Sequence, residues 1–438
     1  MIMKLKTIYI CETCKYESQK WAGKCPECNA WNSFVEDAIN VGKDDFLKNL
    51  PKARIHQPLN INLSENFAQK VKTGINEFDN VLGGGIVKGS LTILGGEPGI
   101  GKSTLILQIC QKLCAQNQDV FYISGEESID QISMRANRLN INHDKLKLIN
   151  SNNLEEIIAT LLEHKPDLAI IDSIQVMASD VQDSSSGSIS QIRFVTEKLM
   201  DIAKNKGITV ILIGHVTKDG VLAGPKALEH LVDTVLNLEG DRYHELRILR
   251  AYKNRFGSTS EIGIFEMDEL GLKEVKNPSQ KMIESRQKNA IGSCLSMAIE
   301  GNRPLLIEVQ ALTNLSVFGY PKRTASGFDT NRLDILVAVL QKHAGINLTN
   351  QDIYVNIVGG IKIKDPAIDL AVCLAIISSF KKNPLPENLV AIGEIGLCGE
   401  IRKTNQYEKR LKEVQNLGFK LNLDSKLTKI SEVINKIF

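Results

Sequence analysis

Between residues 91 and 213, short apolar runs alternate with longer amphipathic stretches. Leu91-Thr92-Ile93-Leu94, Val120-Phe121-Tyr122-Ile123, Leu146-Lys147-Leu148-Ile149, Leu168-Ala169-Ile170-Ile171 and Ile208-Thr209-Val210-Ile211-Leu212-Ile213 have the length and β-rich content of strands. The stretches between them, such as Thr104 to Cys114, read as helices. Alternation of this kind builds a parallel sheet covered by helices on both faces, so the fold class is α/β. Residues 232–238 and 245–250 alternate apolar with polar positions instead and predict added edge strands. The sheet pattern ends at a polar break near Asn277-Pro278-Ser279. On the N-terminal side, residues 35–70 carry scattered charges, Pro51, Pro58 and several Asn, which is the composition of a linker. The sheet domain is expected over 71–276, preceded by that linker and by a small module at 8–34.

A chain of 438 residues is too long for one ordinary core and predicts two or three domains. Lys and Arg number 53 against 51 Asp and Glu, so no global basic field announces a nucleic-acid partner and any such site must be local. The N-terminal MIMKLKTIYI is too short an apolar stretch for a signal peptide, and no segment approaches the ~20 apolar residues that span a bilayer. A soluble cytoplasmic protein with no membrane partner is expected. Four of the nine cysteines fall as Cys11-x2-Cys14-x10-Cys25-x2-Cys28, two knuckles whose thiolates can close a tetrahedron around one ion, with zinc as the metal. The surrounding segment holds both tryptophans and few aliphatic residues, so metal binding would supply its folding energy. Two disulfides would suit a secreted module and conflict with the expected compartment. Cys110, Cys114, Cys294, Cys373 and Cys398 read as buried small hydrophobes.

Directly after the first apolar run stands Gly96-Glu97-Pro98-Gly99-Ile100-Gly101-Lys102-Ser103-Thr104, the full spacing of a nucleotide-triphosphate loop. Its glycines let successive N–H groups turn toward phosphate, Lys102 reaches the β- and γ-oxygens, and Ser103 can ligate Mg²⁺. A bare glycine turn before an amphipathic helix is the competing reading, and the flanking strand and helix weigh against it. ATP or GTP is the expected ligand. The run 168–171 delivers Asp172 at a strand's C-terminal end, where a carboxylate can hold Mg²⁺ through water. Glu126 in Ser124-Gly125-Glu126-Glu127-Ser128 is the candidate that orients water in line with the γ-phosphate. Glu127 is the alternate, and capping of the following helix is the competing role for both. His215 is suited to sensing the γ-phosphate or to a structural role. In the loop 217–226, Lys218 and Lys226 are candidate phosphate contacts for DNA, or solvated turn lysines.

Further along stands Lys253-Asn254-Arg255-Phe256-Gly257. Together with the zinc knuckles, the GGEPGIGKST loop and the segment Tyr122–Ser128, this pentapeptide resembles the bacterial RadA family, also called Sms, along essentially the whole chain. The resemblance implies a RecA-like P-loop ATPase core, a zinc ribbon-like N-terminal module and a Lon-protease-like α+β domain at 285–438. It also implies a DNA-dependent ATPase of recombination and repair. Such a protein forms a homo-hexamer ring on single-stranded and branched DNA, drives branch migration with ATP, and has a recombinase or replicative helicase as a further partner. Lys253 and Arg255 would then be cationic fingers on the ATP of the neighbouring subunit, or DNA contacts.

The C-terminal resemblance to Lon raises a peptidase, and the residues oppose it. Asp365-Pro366-Ala367-Ile368-Asp369 puts Ala367 where the nucleophilic serine should be, and an ungapped match puts Glu408 at the general-base lysine. Without a hydroxyl or an amine, acyl transfer has no chemistry to run. Lys381, Lys382, Lys409 and Arg410, with Arg332 among the other basic residues, supply local positive charge for a DNA contact; ordinary solvated cations are the competing reading. Three functions therefore compete: a DNA-dependent motor, a Lon-like peptidase, and a nucleotide-switched binding module resembling KaiC-like ATPases.

Overall fold

The structure, a computed structural model of the chain, describes residues 6–14, 16–18, 20–39, 70–182, 184–215, 228–240, 246–317, 319–419 and 428–438. Lys218, Lys226 and nearly all of the expected linker lie outside the described residues. The chain divides into two compact units, Met1–Phe67 and Ala68–Phe438. In the first, β1 (Lys6–Cys11) pairs antiparallel with β2 (Glu17–Ser18) and β3 (Phe34–Ile39). Its described core is slight: Cys11, Cys25 and Phe34 are buried, with Tyr9, Ala22 and Cys28 packed beside them.

The second unit opens with a small antiparallel pair, β4 (Lys70–Val71) and β5 (Ile86–Val87). The strands that follow are β6 (Leu91–Gly96), β7 (Val120–Ser124), β8 (Leu146–Asn150), β9 (Leu168–Asp172), β10 (Thr209–Ile213), β11 (Thr234–Glu239), β12 (Leu246–Asn254), β13 (Ile262–Asp268) and β14 (Gly271–Glu274). They form one nine-stranded sheet in the order β14-β13-β12-β11-β6-β10-β9-β7-β8. The six strands from β11 to β8 are parallel, and β12 to β14 are antiparallel. Alternate residues of each strand serve opposite faces. Leu94, Tyr122, Ile170, Ile211 and Leu236 meet the helix Lys102–Ala115, while Ile93, Ile123, Ile171, Leu212 and Val235 meet the helices Leu154–His164 and Ile189–Lys206.

One expectation is corrected here. Residues 232–238 and 245–250 do not make edge strands: β11 lies between β6 and β12, and β12 is covered by β13. Among the described residues, Asp233 and Arg250 form ion pairs and Arg247 donates to Ile100 O at 3.2 Å, so these polar positions meet partners rather than water. The edges are β14 and β8, and β8, whose Lys147 is exposed, is the one of the five apolar runs that carries a charged residue. The polar break at Asn277 is also a helix start. Asn277 accepts from Gln280 N at 3.2 Å, and Pro278 takes the first helical position of Pro278–Ile283, where its missing N–H costs nothing.

Beyond it, β15 (Ser293–Glu300), β16 (Arg303–Leu315), β17 (Arg323–Ser326) and β18 (Gln351–Ile357) form a four-stranded sheet in the order β15-β16-β18-β17, packed on the helices Thr330–His343 and Asp369–Lys381. This core is continuous with the nine-stranded sheet: Leu246, Ile248, Ile262 and Ile264 join Leu305, Ile307 and Leu374 in one cluster. Arg303–Glu77 (2.7 Å) and Arg250–Glu300 (2.8 Å) pair across the same boundary. Of the cysteines expected to be buried, Cys398 is exposed. Among the described residues no helix is long and apolar enough to cross a membrane.

Candidate nucleotide and metal sites

The nucleotide loop leaves the sheet at the C-terminal end of β6 and closes on the N-terminus of the helix Lys102–Ala115. Gly96 has φ +150°, and a Cβ there would fall 2.7 Å from Leu238 O, so only glycine lets the loop lie this close to β11. Lys102 is 4% exposed, and its Nζ donates to Gly96 O at 2.9 Å and Glu97 O at 3.0 Å. Burial pushes its ammonium down to about 8, against the upward pull of the Asp172 and Glu126 charges.

Asp172 ends β9 and is itself buried. It accepts from Ser103 Oγ at 2.9 Å and from the Tyr122 hydroxyl. Burial raises its carboxyl, and the hydrogen bonds from Tyr122 and Ser103 work against that rise. The Ser103 hydroxyl and the Asp172 carboxylate thus stand side by side as the hard oxygen donors a divalent cation takes.

The two neighbouring acids part company. Glu127 is held by Arg135 through contacts of 2.5 and 2.8 Å. Glu126 is exposed, accepts from Ser173 Oγ at 3.0 Å, and lies 3.5 Å from His215 Nε2. His215 Nδ1 in turn stands 3.2 Å from Lys102 Nζ. Lys102, His215, Glu126 and Ser173 therefore form one polar chain beside the loop. Tyr122, Ser173 and Arg135 were not singled out from sequence. A tyrosine inside the apolar run 120–123 was the available signal, because a buried phenol needs a partner.

Lys253 and Arg255 lie elsewhere. Asn254 on β12 pairs with Thr234 on β11, which pairs with Thr92 on β6, whereas Leu238 pairs with Gly96. The two cations are therefore at the opposite end of the sheet from the nucleotide loop of their own chain, about 13 Å along the strand at ~3.3 Å per residue. Lys253 Nζ donates to Glu229 O at 2.5 Å and Val232 O at 2.9 Å, and burial lowers its ammonium. The exposed Arg255 reaches Asp233 Oδ1 at 3.3 Å.

The basic residues of the C-terminal domain divide as well. Lys381 and Lys382 end the helix Asp369–Lys381 and are exposed, Lys381 over the Phe438 ring at 5.1 Å. Lys409, also exposed, donates to Asn302 O. Arg410 does not belong with them. It is 3% exposed, and its Nη1 is engaged by Asp365 Oδ2 and Met297 O, both at 2.6 Å, which removes it from any DNA-facing surface. Arg332 is likewise tied to the buried carboxylate of Asp369 and to Ile395 O. Ala367 is fully buried among Leu295, Met297, Leu306 and Val390, while Glu408 faces solvent.

In the first unit the four thiols of Cys11, Cys14, Cys25 and Cys28 have sulfurs all within 4.8 Å of one another. Cys11–Cys28 is 3.6 Å and Cys14–Cys25 is 3.5 Å. Four thiolates around one zinc at ~2.3 Å stand about 3.8 Å apart, so the group fits a closed structural site.

Residues 9–36 match a family described as a rubredoxin metal binding domain, residues 57–221 an AAA domain, and residues 309–427 subunit ChlI of Mg-chelatase. A DNA repair protein RadA of Bacillus subtilis is 48% identical over 422 residues, covering 95% of this chain and 92% of that protein. A DNA repair protein RadA of Halalkalibacterium halodurans is 48% identical over 419 residues, with the same coverage of both chains. Among solved structures, a KaiC-like protein of Pyrococcus horikoshii aligns with 48% of this chain and 99% of its own at 23% identity and a TM-score of 0.41. With identity of this order along nearly its whole length, the chain belongs to the RadA family.

Proposed function

We propose that the chain is a DNA repair ATPase that works as a ring-shaped motor on single-stranded and branched DNA, hydrolysing ATP at sites completed by a neighbouring subunit and driving branch migration. The observation that carries this reading is the location of Lys253 and Arg255 at the far end of the sheet from their own nucleotide loop. Cations so located cannot serve that loop, but they can reach the loop of a second copy. A cation supplied in this way neutralises charge growing on the phosphoryl oxygens and is worth ~10³–10⁵ in rate.

In this mechanism Gly96 to Thr104 hold the triphosphate, and Lys102 shares its charge with the β- and γ-oxygens. Ser103 and Asp172 would hold Mg²⁺, which would supply charge neutralisation at those oxygens. Glu126 orients the attacking water, since its carboxylate is not engaged by Arg135 as that of Glu127 is. His215, between Lys102 and Glu126, senses whether the γ-phosphate is present. Lys381, Lys382 and Lys409 contribute to the DNA footprint, with the loop that carries Lys218 and Lys226. Ala367 and Glu408 leave no peptidase dyad.

The test is ATP hydrolysis with and without single-stranded DNA, on wild-type, Lys102→Ala and Arg255→Ala proteins. DNA stimulation lost in both variants, with Arg255→Ala still binding ATP, is the expected result. Unstimulated turnover together with a fully active Arg255→Ala would turn the reading to a nucleotide-switched adaptor.

A further inference from the structure

The Lys253–Arg255 segment is moored to a buried carboxylate. Asp233, whose side chain is 2% exposed, precedes β11 and accepts from Leu91 N at 3.1 Å, Lys204 Nζ at 2.6 Å and Arg255 Nη1 at 3.3 Å. Its main chain is fixed as well: Asp233 N donates to Leu91 O, and Arg255 N donates to Asp233 O. Lys204 comes from the last turn of the helix Ile189–Lys206, and its Nζ also sits over the Phe256 ring at 5.6 Å. Two cations therefore share one sunken anion, the lysine by the shorter contact and the half-exposed arginine by the longer one.

We propose that Lys204 is a positioning residue for Arg255: it holds the Asp233 charge when the arginine leaves, so that Arg255 is free to transfer to a phosphate of the neighbouring subunit. This rests on the trans-acting reading of Arg255. A buried carboxylate is tolerated only while paired, and removing its last partner is strongly unfavourable. With Lys204 present, departure of Arg255 leaves Asp233 with an ammonium at 2.6 Å and a backbone N–H at 3.1 Å. Without it, the arginine is the sole remaining cation on Asp233 among these contacts. Transfer to phosphate then competes with a stranded charge, and Arg255 stays docked on its own chain.

The role has a signature that loss of packing does not share, because removing the anion should undo the effect of removing the lysine. Lys204→Met is expected to lower DNA-stimulated turnover on the order of tenfold, with ATP affinity unchanged. Lys204→Met combined with Asp233→Asn is expected to recover most of that loss, since a neutral amide no longer holds the arginine. Wild-type turnover in Lys204→Met, or a double variant no faster than the single one, would overturn the proposal. Arg255→Ala is assayed alongside. If it is inactive while Lys204→Met is normal, only the positioning role of Lys204 fails. If Arg255→Ala hydrolyses ATP normally, the trans-acting reading fails and this proposal with it.

Discussion

Lys102 carries opposing demands. Its ammonium is needed charged to meet phosphate, yet burial lowers its pKa to about 8. An unfolded lysine stays protonated up to about 10.4, so between roughly 8 and 10.4 the unfolded chain binds more protons than the folded one, and this group's contribution to stability rises with pH across that window. Triphosphate binding runs the other way, because it selects the charged form. ATP affinity is expected to weaken as pH rises through about 8, with a limiting slope of ~tenfold per pH unit. Lys102→Met should bind weakly and flatten that slope. Equilibrium binding of a fluorescent ATP analogue from pH 7 to 9.5 checks both expectations. A wild-type profile that is flat above pH 8 would mean that Lys102 stays charged in the free protein.

The zinc knuckles show how far an element can depend on its metal. The described core of the first unit is two cysteines and one phenylalanine, too little to offset the ordering of its loops. Structural zinc in such modules contributes an apparent ~10–16 kcal/mol, which is most of what folds them. Trp21 and Trp31 are the only tryptophans in the chain, so indole fluorescence reports this module alone. Chelation is expected to release one zinc per chain together with a change in that fluorescence, and Cys25→Ser should match the chelated state. An unchanged signal after complete zinc removal would show that the strands stand without the ion. At this level the sequence was informative: thiol spacing, glycine spacing and apolar runs are each confined to a few dozen residues. The helix start at Asn277 was also there to be read, since Asn followed by Pro is a capping pair as well as a break.

At the scale of the whole molecule, the proposed completion of the site by a second copy predicts complementation. Lys102→Ala keeps the proposed Arg255 finger and loses the loop lysine, while Arg255→Ala does the reverse. Each is expected to be inactive alone. Mixed in equal amounts before assembly, they should recover DNA-stimulated hydrolysis at roughly a quarter of the sites, because a head-to-tail ring then contains some interfaces that pair an intact loop with an intact finger. No recovery in verified mixed rings would mean that Arg255 does not serve a neighbour's nucleotide.

The α/β class, the phosphate loop, the thiol tetrad and the family resemblance were all legible in the chain, because each is written in residue types at short fixed spacings that the chemistry itself demands. Contacts between distant segments were not. Strand order put residues 234–239 inside the sheet although their alternation resembled an edge. Arg135 took Glu127 and left Glu126 facing His215. Arg410 was drawn inward by Asp365, and Asp233 gathered Leu91, Lys204 and Arg255 from three separate elements. Periodicity tells which side of an element is apolar. Which charge meets which is decided by register and packing between elements, where a buried ion must find its partner wherever the fold brings one.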